Sequence, residues 1–214
     1  MIISIIDYGS GNVRSVAKAF ERAISEASLG ASVKITNDPS EVAASDRLVL
    51  PGVGAFADCK KGLEAIPGMM DALETAVCSV GRPYFGICVG MQLMAQLGLE
   101  HGATRGFGWL NAEVRALAPE DKSLKIPHIG WNDVMVSEPR HPVFADLESG
   151  EHAYFVHSYH IICDHRADVL AHTDYGDQII AAVGKDNIFG TQFHPEKSQK
   201  VGLKIITNFL SWRP

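Results

Sequence analysis

Long apolar runs are missing from this 214-residue chain. None approaches the roughly 20 residues that a membrane-crossing helix needs, so no membrane span is expected. The opening Met1-Ile2-Ile3-Ser4-Ile5-Ile6 is too short for a secretory leader and has no basic residues ahead of its apolar core, so it reads as a first strand. A basic excess is missing as well. The 19 Lys and Arg against 25 Asp and Glu leave a formal net charge of -6, which argues against a broad nucleic-acid surface. The cysteines Cys59, Cys78, Cys88 and Cys163 show no C-x-x-C pair and no regular spacing. A disulfide framework and a zinc site are therefore not expected, no metal or cofactor is implied, and a reducing cytoplasm fits. Nor is there an internal repeat, a low-complexity tract or a linker, and residues 1–214 are expected to fold as one domain with a substantial core.

What the chain does have is alternation. Ile2 to Ile6 is a continuous apolar β-run, as for a strand covered on both faces. Asp7-Tyr8-Gly9-Ser10-Gly11-Asn12 turns the chain, and Val13, Val16, Ala17, Phe20, Ile24 and Ala27 follow at helical spacing. Strands are predicted over 32–36 and 47–50 with a short helical connection between them, then helices around 58–63 and 69–80. That is the order of a parallel α/β sheet. Gly9-x-Gly11 resembles the start of a dinucleotide fingerprint, but position 14 is Arg rather than Gly, and a plain turn is the better reading. From about 106 to 191 the pattern changes to short β-runs at 109–117, 129–136, 152–163, 169–173, 178–184 and 188–193. They predict a mixed or antiparallel layer continuing the same sheet. An amphipathic helix over about 197–212, with Val201, Ile205, Ile206, Phe209 and Leu210 as its apolar stripe, closes the chain. The fold class expected is α/β: a central, mostly parallel mixed sheet flanked by helices, with an added β-layer.

One stretch organises the functional reading. In Pro83-Tyr84-Phe85-Gly86-Ile87-Cys88-Val89-Gly90-Met91-Gln92 an apolar β-run ends in Gly-x-Cys-x-Gly and passes into an apolar helical run, Met91 to Leu97. That is the pattern of a nucleophile elbow, known best with serine in the middle. Gly86 and Gly90 stand where strand and helix cross too closely for a Cβ. The nucleophile is forced into a strained backbone conformation at the carboxyl edge of the sheet, and the helix N-terminus behind it favours the thiolate. A free cysteine is otherwise most often a small buried hydrophobe, so the functional reading of Cys88 needs a base. Pro51-Gly52-Val53-Gly54 ends the third strand at the same edge. It is either a simple loop or a strip of backbone N–H groups facing Cys88 and ready for an oxyanion.

Nine histidines compete for the role of base. His157 and His160, three apart in one expected strand, should point to opposite faces and so make poor metal partners. His101, His141, His152, His165 and His172 read as surface or satisfied histidines. His194 and Glu196 differ, because they stand two apart at the end of a β-run and can project to one face. Glu196 can then fix the imidazole tautomer and leave the other ring nitrogen for a nucleophile. Pro195 cannot continue a central strand and marks its end. An isolated His-x-Glu is more often a solvent-facing pair. With an elbow cysteine in an α/β chain, it reads as base and orienter.

Here the residues carry a resemblance. Pro51-Gly52-Val53-Gly54, Gly86-Ile87-Cys88-Val89-Gly90-Met91-Gln92 and His194-Pro195-Glu196, in this order, resemble the class I (triad) glutamine amidotransferases. Finer matches resemble the branch of that family that serves histidine biosynthesis. They are Asp7-Tyr8-Gly9-Ser10-Gly11-Asn12, Pro127-His128-Ile129-Gly130-Trp131-Asn132, Tyr154-Phe155-Val156-His157-Ser158-Tyr159 and Gln192-Phe193-His194-Pro195-Glu196-Lys197-Ser198. The similarity spans essentially the whole chain. It departs at Val89, where Leu is usual, and at Gln96-Leu97-Gly98-Leu99, where acidic or Ser residues are common.

The resemblance implies the flavodoxin-like fold of that family and a glutaminase that works through a cysteinyl thioester. Cys88 would attack the carboxamide of L-glutamine, His194 would move the proton and Glu196 would orient His194. The Val89 N–H and the Gly52-Val53 region would form the oxyanion hole. Glutamine would be held by the Gly52 backbone, Gln92, Glu100, Ser158 and Tyr159, with Gln92 one helical turn from Cys88 on the same face. The resemblance also implies a (β/α)8-barrel cyclase partner that receives the ammonia, docked around Asn12, Trp131, Asn132 and Lys197, with the Gly52-Val53 peptide reorienting on docking. Core packing is the other reading of Trp131. The triad alone does not separate this branch from amidotransferases of anthranilate, aminodeoxychorismate or pyridoxal phosphate synthesis, from a non-catalytic scaffold, or from an esterase-like hydrolase. The segments at 127–132 and 154–159 favour the histidine branch.

Overall fold

Two strands rich in Ile, Val and Leu, β1 (Ile2–Ile6) and β3 (Arg47–Gly52), are buried along almost their whole length. Burial on both faces requires helices above and below them. A computed structural model describes all 214 residues and supplies those helices. α1 (Val13–Glu26) leads from β1 to β2 (Ser32–Thr36), and α2 (Pro39–Ala44) leads back to β3. Since β2, β1 and β3 lie in that spatial order, the two connections step in opposite directions, and right-handed crossovers put α1 and α2 on opposite faces. α3 (Phe56–Glu64) and α4 (Met69–Glu74), which runs on into a wider turn over Thr75–Ser79, precede β4 (Tyr84–Cys88) and α5 (Val89–Gln92). Then come β5 (Leu97–Gly98), β6 (Thr104–Arg105), β7 (Ala112–Ala116), β8 (His128–Val136), β9 (Glu151–His157), β10 (Tyr159–Cys163), β11 (Val169–Asp174), β12 (Gln178–Lys185), β13 (Ile188–Thr191) and α6 (Gln199–Ser211).

The main sheet has nine strands in the order β2-β1-β3-β4-β13-β12-β11-β8-β9. The first five are parallel and the rest antiparallel, so the α/β sheet with a mixed extension is as expected. The layer differs in part from expectation, because β10, β7, β5 and β6 form a separate four-stranded sheet. The run read as one strand over 152–163 is two: β9 pairs with β8, while β10 crosses over to β7. Ser158 between them carries neither Gly nor Pro as a warning, and its carbonyl accepts from Leu117 N. His157 and His160 therefore belong to different sheets, not to opposite faces of one strand.

The helix after Cys88 is also shorter than its apolar run suggested. α5 is one turn long, and Leu97 already lies in a strand. The carbonyls of Leu93, Met94, Ala95 and Gln96 accept from Phe107, Leu110, Gly108 and Gly106 rather than from a continuing helix. Leu93, Met94 and Ala95 are fully buried, so their burial on every side leaves no helical periodicity to distinguish the two outcomes.

Packing converges on the turn between β4 and α5. Phe85 of β4 meets Phe189 of β13 and Phe209 of α6 at ring-centroid distances of 4.9 and 5.1 Å. On the other side the Tyr84 hydroxyl donates to the Gly90 carbonyl at 2.8 Å. A Cβ on Gly90 would overlap the Leu50 carbonyl of β3, and one on Gly86 would overlap the carbonyl of Gly90. Neither neighbour is a side chain that can swing away. Gly90→Ala is therefore expected to lower stability by about 3 kcal/mol. Its urea midpoint should fall, while Gly30→Ala, where an added Cβ meets nothing within 4 Å, should leave the midpoint unchanged.

Candidate active site

Cys88 is the last residue of β4 and the residue before α5, at φ 54 and ψ -112. A non-glycine side chain adopts such a backbone only when its surroundings force it, and here the glycine crossings on either side do so. The residue after it starts a helix, so backbone N–H groups converge beside the sulfur. Register places Gly52 of β3 directly opposite Cys88. The strip from Pro51 to Val53 is pinned by the loop after β1: the Tyr8 hydroxyl donates to the Pro51 carbonyl at 2.9 Å and Ser10 Oγ to the Val53 carbonyl at 2.6 Å. Cys88, Val89 and Val53 together line a cleft of about 530 Å³.

His194 faces the same cleft from the neighbouring parallel strand's end. The expectation that His194 and Glu196 share a strand face is corrected. β13 stops at Thr191, and Pro195, lacking an N–H, begins a single tight turn over Pro195–Lys197 that brings the carboxylate under the ring. His194 Nδ1 and Glu196 Oε1 are 2.8 Å apart and both side chains are almost wholly buried. Ser198 stitches the turn to β9, donating to the His194 carbonyl at 2.7 Å and accepting from Tyr154 N at 3.0 Å. Asn12 Nδ2 donates to the same Glu196 oxygen at 2.6 Å. With Nδ1–H held by Glu196, Nε2 faces Cys88 and has no hydrogen-bond partner within the chain. Contact between the ring and the sulfur is thus looser than a formed hydrogen bond, as such contacts often are before substrate binds.

Charge follows from this geometry. Burial pushes the His194 imidazole down, but the facing Cys88 and the Glu196 carboxylate outweigh it and hold His194 up at about 9. Burial would likewise raise Glu196, yet the hydrogen bond and charge of His194, with Asn12, keep its carboxyl below the usual range. The site holds a buried carboxylate–imidazolium pair aimed at a sulfur.

An amide line completes it. Gln192 Nε2 donates to Cys88 Sγ at 3.6 Å. Its Oε1 accepts from Gln92 Nε2 at 3.0 Å, and the same nitrogen donates to the Tyr159 carbonyl at 3.0 Å. Gln92, Ser158 and Tyr159 all line the cleft, as their expected role requires. Glu100 lines it too, with Oε2 accepting from Phe56 N at the start of α3.

The four residues expected at a partner surface divide. Trp131 is 49 % exposed and meets the Tyr154 ring edge-on at 6.0 Å, so it is not core packing. Lys197 lies over the same Tyr154 ring, 5.6 Å from its centroid, and lines the cleft. Asn12 and Asn132 instead turn their amides inward, to Glu196 and to His128. Sequence reasoning missed the direct contact of Gln192 with the sulfur and the pairing of His128 with His157. Gln192 could have been found: it is a polar residue in an apolar β-run, two places before His194.

A family model described as "Glutamine amidotransferase class-I" matches residues 4–212. The chain is 55% identical over 217 residues to a Brucella suis biovar 1 protein named imidazole glycerol phosphate synthase subunit HisH, with 100% of both chains covered. It is equally similar, 55% over 217 residues and 100% of both chains, to the Rhizobium meliloti protein of the same name. Among solved structures, one titled glutamine amidotransferase superposes with a TM-score of 0.73 at 19% identity, covering 99% of this chain and 98% of that one. A Thermotoga maritima glutamine amidotransferase gives 0.63 at 17% identity, covering 99% and 83%. At these identities the two structures speak for the fold alone.

The charged form of His194 should persist through neutrality and be lost as pH rises through about 9. An imidazole NMR titration measures this. Cys88→Ala and Glu196→Gln each remove a group that holds the proton, so each should bring the midpoint down toward the ordinary histidine value of about 6.5.

Proposed function

Because this chain belongs to the class I glutamine amidotransferases, we propose that it is the glutaminase subunit of an imidazole glycerol phosphate synthase in histidine biosynthesis. It hydrolyses L-glutamine to glutamate and ammonia. The ammonia passes to a cyclase subunit, a (β/α)8 barrel, which joins it to a phosphoribulosyl formimino-carboxamide nucleotide. The two subunits form a heterodimer in the cytoplasm. The observation that carries the chemistry is the strained Cys88 facing the buried His194–Glu196 pair.

The steps follow from the charges. Cys88 as thiolate attacks the side-chain carboxamide carbon, and the new oxyanion is held by the Val89 N–H and an N–H from the Gly52-Val53 strip. His194, already an imidazolium, gives its proton to the departing nitrogen, and the tetrahedral adduct collapses to a glutamyl thioester with release of ammonia. Now neutral, His194 takes a proton from water, whose hydroxide equivalent attacks the thioester. Glutamate leaves and the thiolate–imidazolium pair returns. Glu196 stays ionised throughout and keeps the ring in one orientation. Gln92, Glu100, Ser158, Tyr159 and the Gly52 backbone hold the glutamine.

The partner docks on the face that carries Trp131 and Lys197. Support comes from two exposed apolar side chains on one side of β8, Ile129 at 59 % and Trp131 at 49 %, in a strand that Pro127 of the cleft lining leads into. Docking completes the oxyanion strip, so the isolated chain should be about a hundredfold or more slower than the complex, the weight of a missing oxyanion donor. Equal glutaminase rates for chain and complex would sink this coupling. In the complex, Cys88→Ala should cut glutamine-dependent synthesis by at least about a thousandfold and leave ammonia-dependent synthesis intact. Loss of both would instead indicate a structural role for Cys88. Co-purification of the chain with a cyclase of histidine biosynthesis tests the acceptor.

A further inference from the structure

Two histidines that the glutaminase steps do not use stand in line with the cysteine. His128 of β8 and His157 of β9 are direct cross-strand partners, both buried, and their rings meet Nδ1 to Nε2 at 3.0 Å. Chemistry fixes which atoms carry protons. The Tyr159 carbonyl can only accept, so His157 Nδ1, 3.0 Å away, is the donor. Burial pushes His157 down to about 3, helped by the nearby His128, His160 and charged His194, so the ring is neutral and its Nε2 is bare. His128 Nδ1 must then donate to it. Burial pushes His128 down to about 4, so its Nε2 is bare in turn, and the Asn132 amide donates there at 3.2 Å. Asn132 gives its second amide proton to the Asp174 carbonyl at 2.7 Å. From Asn132 through His128 and His157 to the Tyr159 carbonyl, each donor points toward the active site.

At Tyr159 the line meets the active site. Its carbonyl accepts from both His157 Nδ1 and Gln92 Nε2, which uses both lone pairs. Gln92 in turn fixes the Gln192 oxygen, and that fixes the Gln192 nitrogen toward Cys88 Sγ. His128 is held from turning by rings on two sides, Tyr175 at 4.0 Å and Phe155 at 4.9 Å, both nearly parallel to it.

We propose that the His128–His157 pair is a positioning device for Cys88. Held in one tautomer each between Asn132 and the Tyr159 carbonyl, the two imidazoles fix the Tyr159–Gln92–Gln192 line and the amide proton that faces the sulfur. They are positioning residues, since neither bonds to the sulfur. The line also joins the active site to β8, whose Trp131 lies next to Asn132 on the exposed face.

The proposal rests on reading Cys88 as a glutaminase nucleophile, and the complex with the cyclase tests the two separately. Glutamine turnover by the wild-type complex that Cys88→Ala does not remove counts against the glutaminase reading itself. Where Cys88→Ala does remove it, His157→Leu should lower kcat about tenfold, the weight of one hydrogen bond, with KM changed less than about twofold. It should also slow alkylation of Cys88 by iodoacetamide, followed by mass spectrometry, while ammonia-dependent synthesis continues at the wild-type rate. His157→Asn, whose amide puts a donor near the Nδ1 position, should recover most of the lost kcat. A His157→Leu complex with wild-type kcat and alkylation rate overturns the proposal, as does an Asn variant no faster than the Leu variant. Nitrogen NMR of the wild-type chain reads the tautomers without any substitution. Neutral Nδ1–H rings at His128 and His157 at neutral pH are expected, and an Nε2–H tautomer or an imidazolium at either position overturns it.

Discussion

The contact on which the rest depends is between two backbones. Gly90 of the first turn of α5 lies against the Leu50 carbonyl of β3, and Gly86 of β4 lies under Gly90. That approach fixes how sharply the chain turns, and the turn fixes the positive φ of Cys88. A residue in that conformation directs its side chain out of the sheet while the helix behind it aims N–H groups at the same place. The hydrophobic layer is arranged around the turn, with Phe85, Phe189 and Phe209 on one side and Tyr84 with Trp109 on the other. Core packing here sets a reactive geometry as well as stability.

A second constraint is electrostatic. A carboxylate and an imidazolium buried together are costly unless each is paired and hydrogen-bonded. Glu196 meets that condition through His194 and Asn12 on one oxygen, with its other oxygen left without a partner in the chain. His194 Nε2 is similarly left over. Of the two, His194 Nε2 is the atom that faces the Cys88 sulfur, so the cost of leaving it without a partner is offset in chemistry rather than in folding.

Much of this was legible in the sequence because the fold and the elbow write themselves in local terms. Continuous apolar strands, alternating helices and Gly-x-Cys-x-Gly are short local patterns, even where the contact they reflect, such as Gly90 against Leu50, is distant in sequence. The parallel α/β character of the first strands followed from such signals, and they singled out Cys88, His194 and Glu196, which the fold brings to one cleft. What was not legible depends on contacts distant in sequence. α5 stops after one turn because the 106–110 loop takes its carbonyls, and nothing in the apolar run reports that. The break at Ser158 reflects two sheets competing for one extended segment. The inward turn of Asn12 depends on an acceptor 184 residues away in the chain.

Cys88 ends β4 and Gln192 follows its sheet neighbour β13, yet the two residues are 104 apart in sequence. The segment between them builds β12, β11, β8 and β9 beyond β13 in the main sheet, together with the separate four-stranded sheet. The intervening segment still touches the site, through Gln92, Ser158 and Tyr159 in the cleft and Tyr154 against the His194 turn, while its outer loops do not. Loops within it can lengthen, change sequence or acquire a new partner without altering the register that sets sulfur against imidazole. A lineage built on this plan can exchange the recipient of its ammonia while inheriting the machinery that releases it.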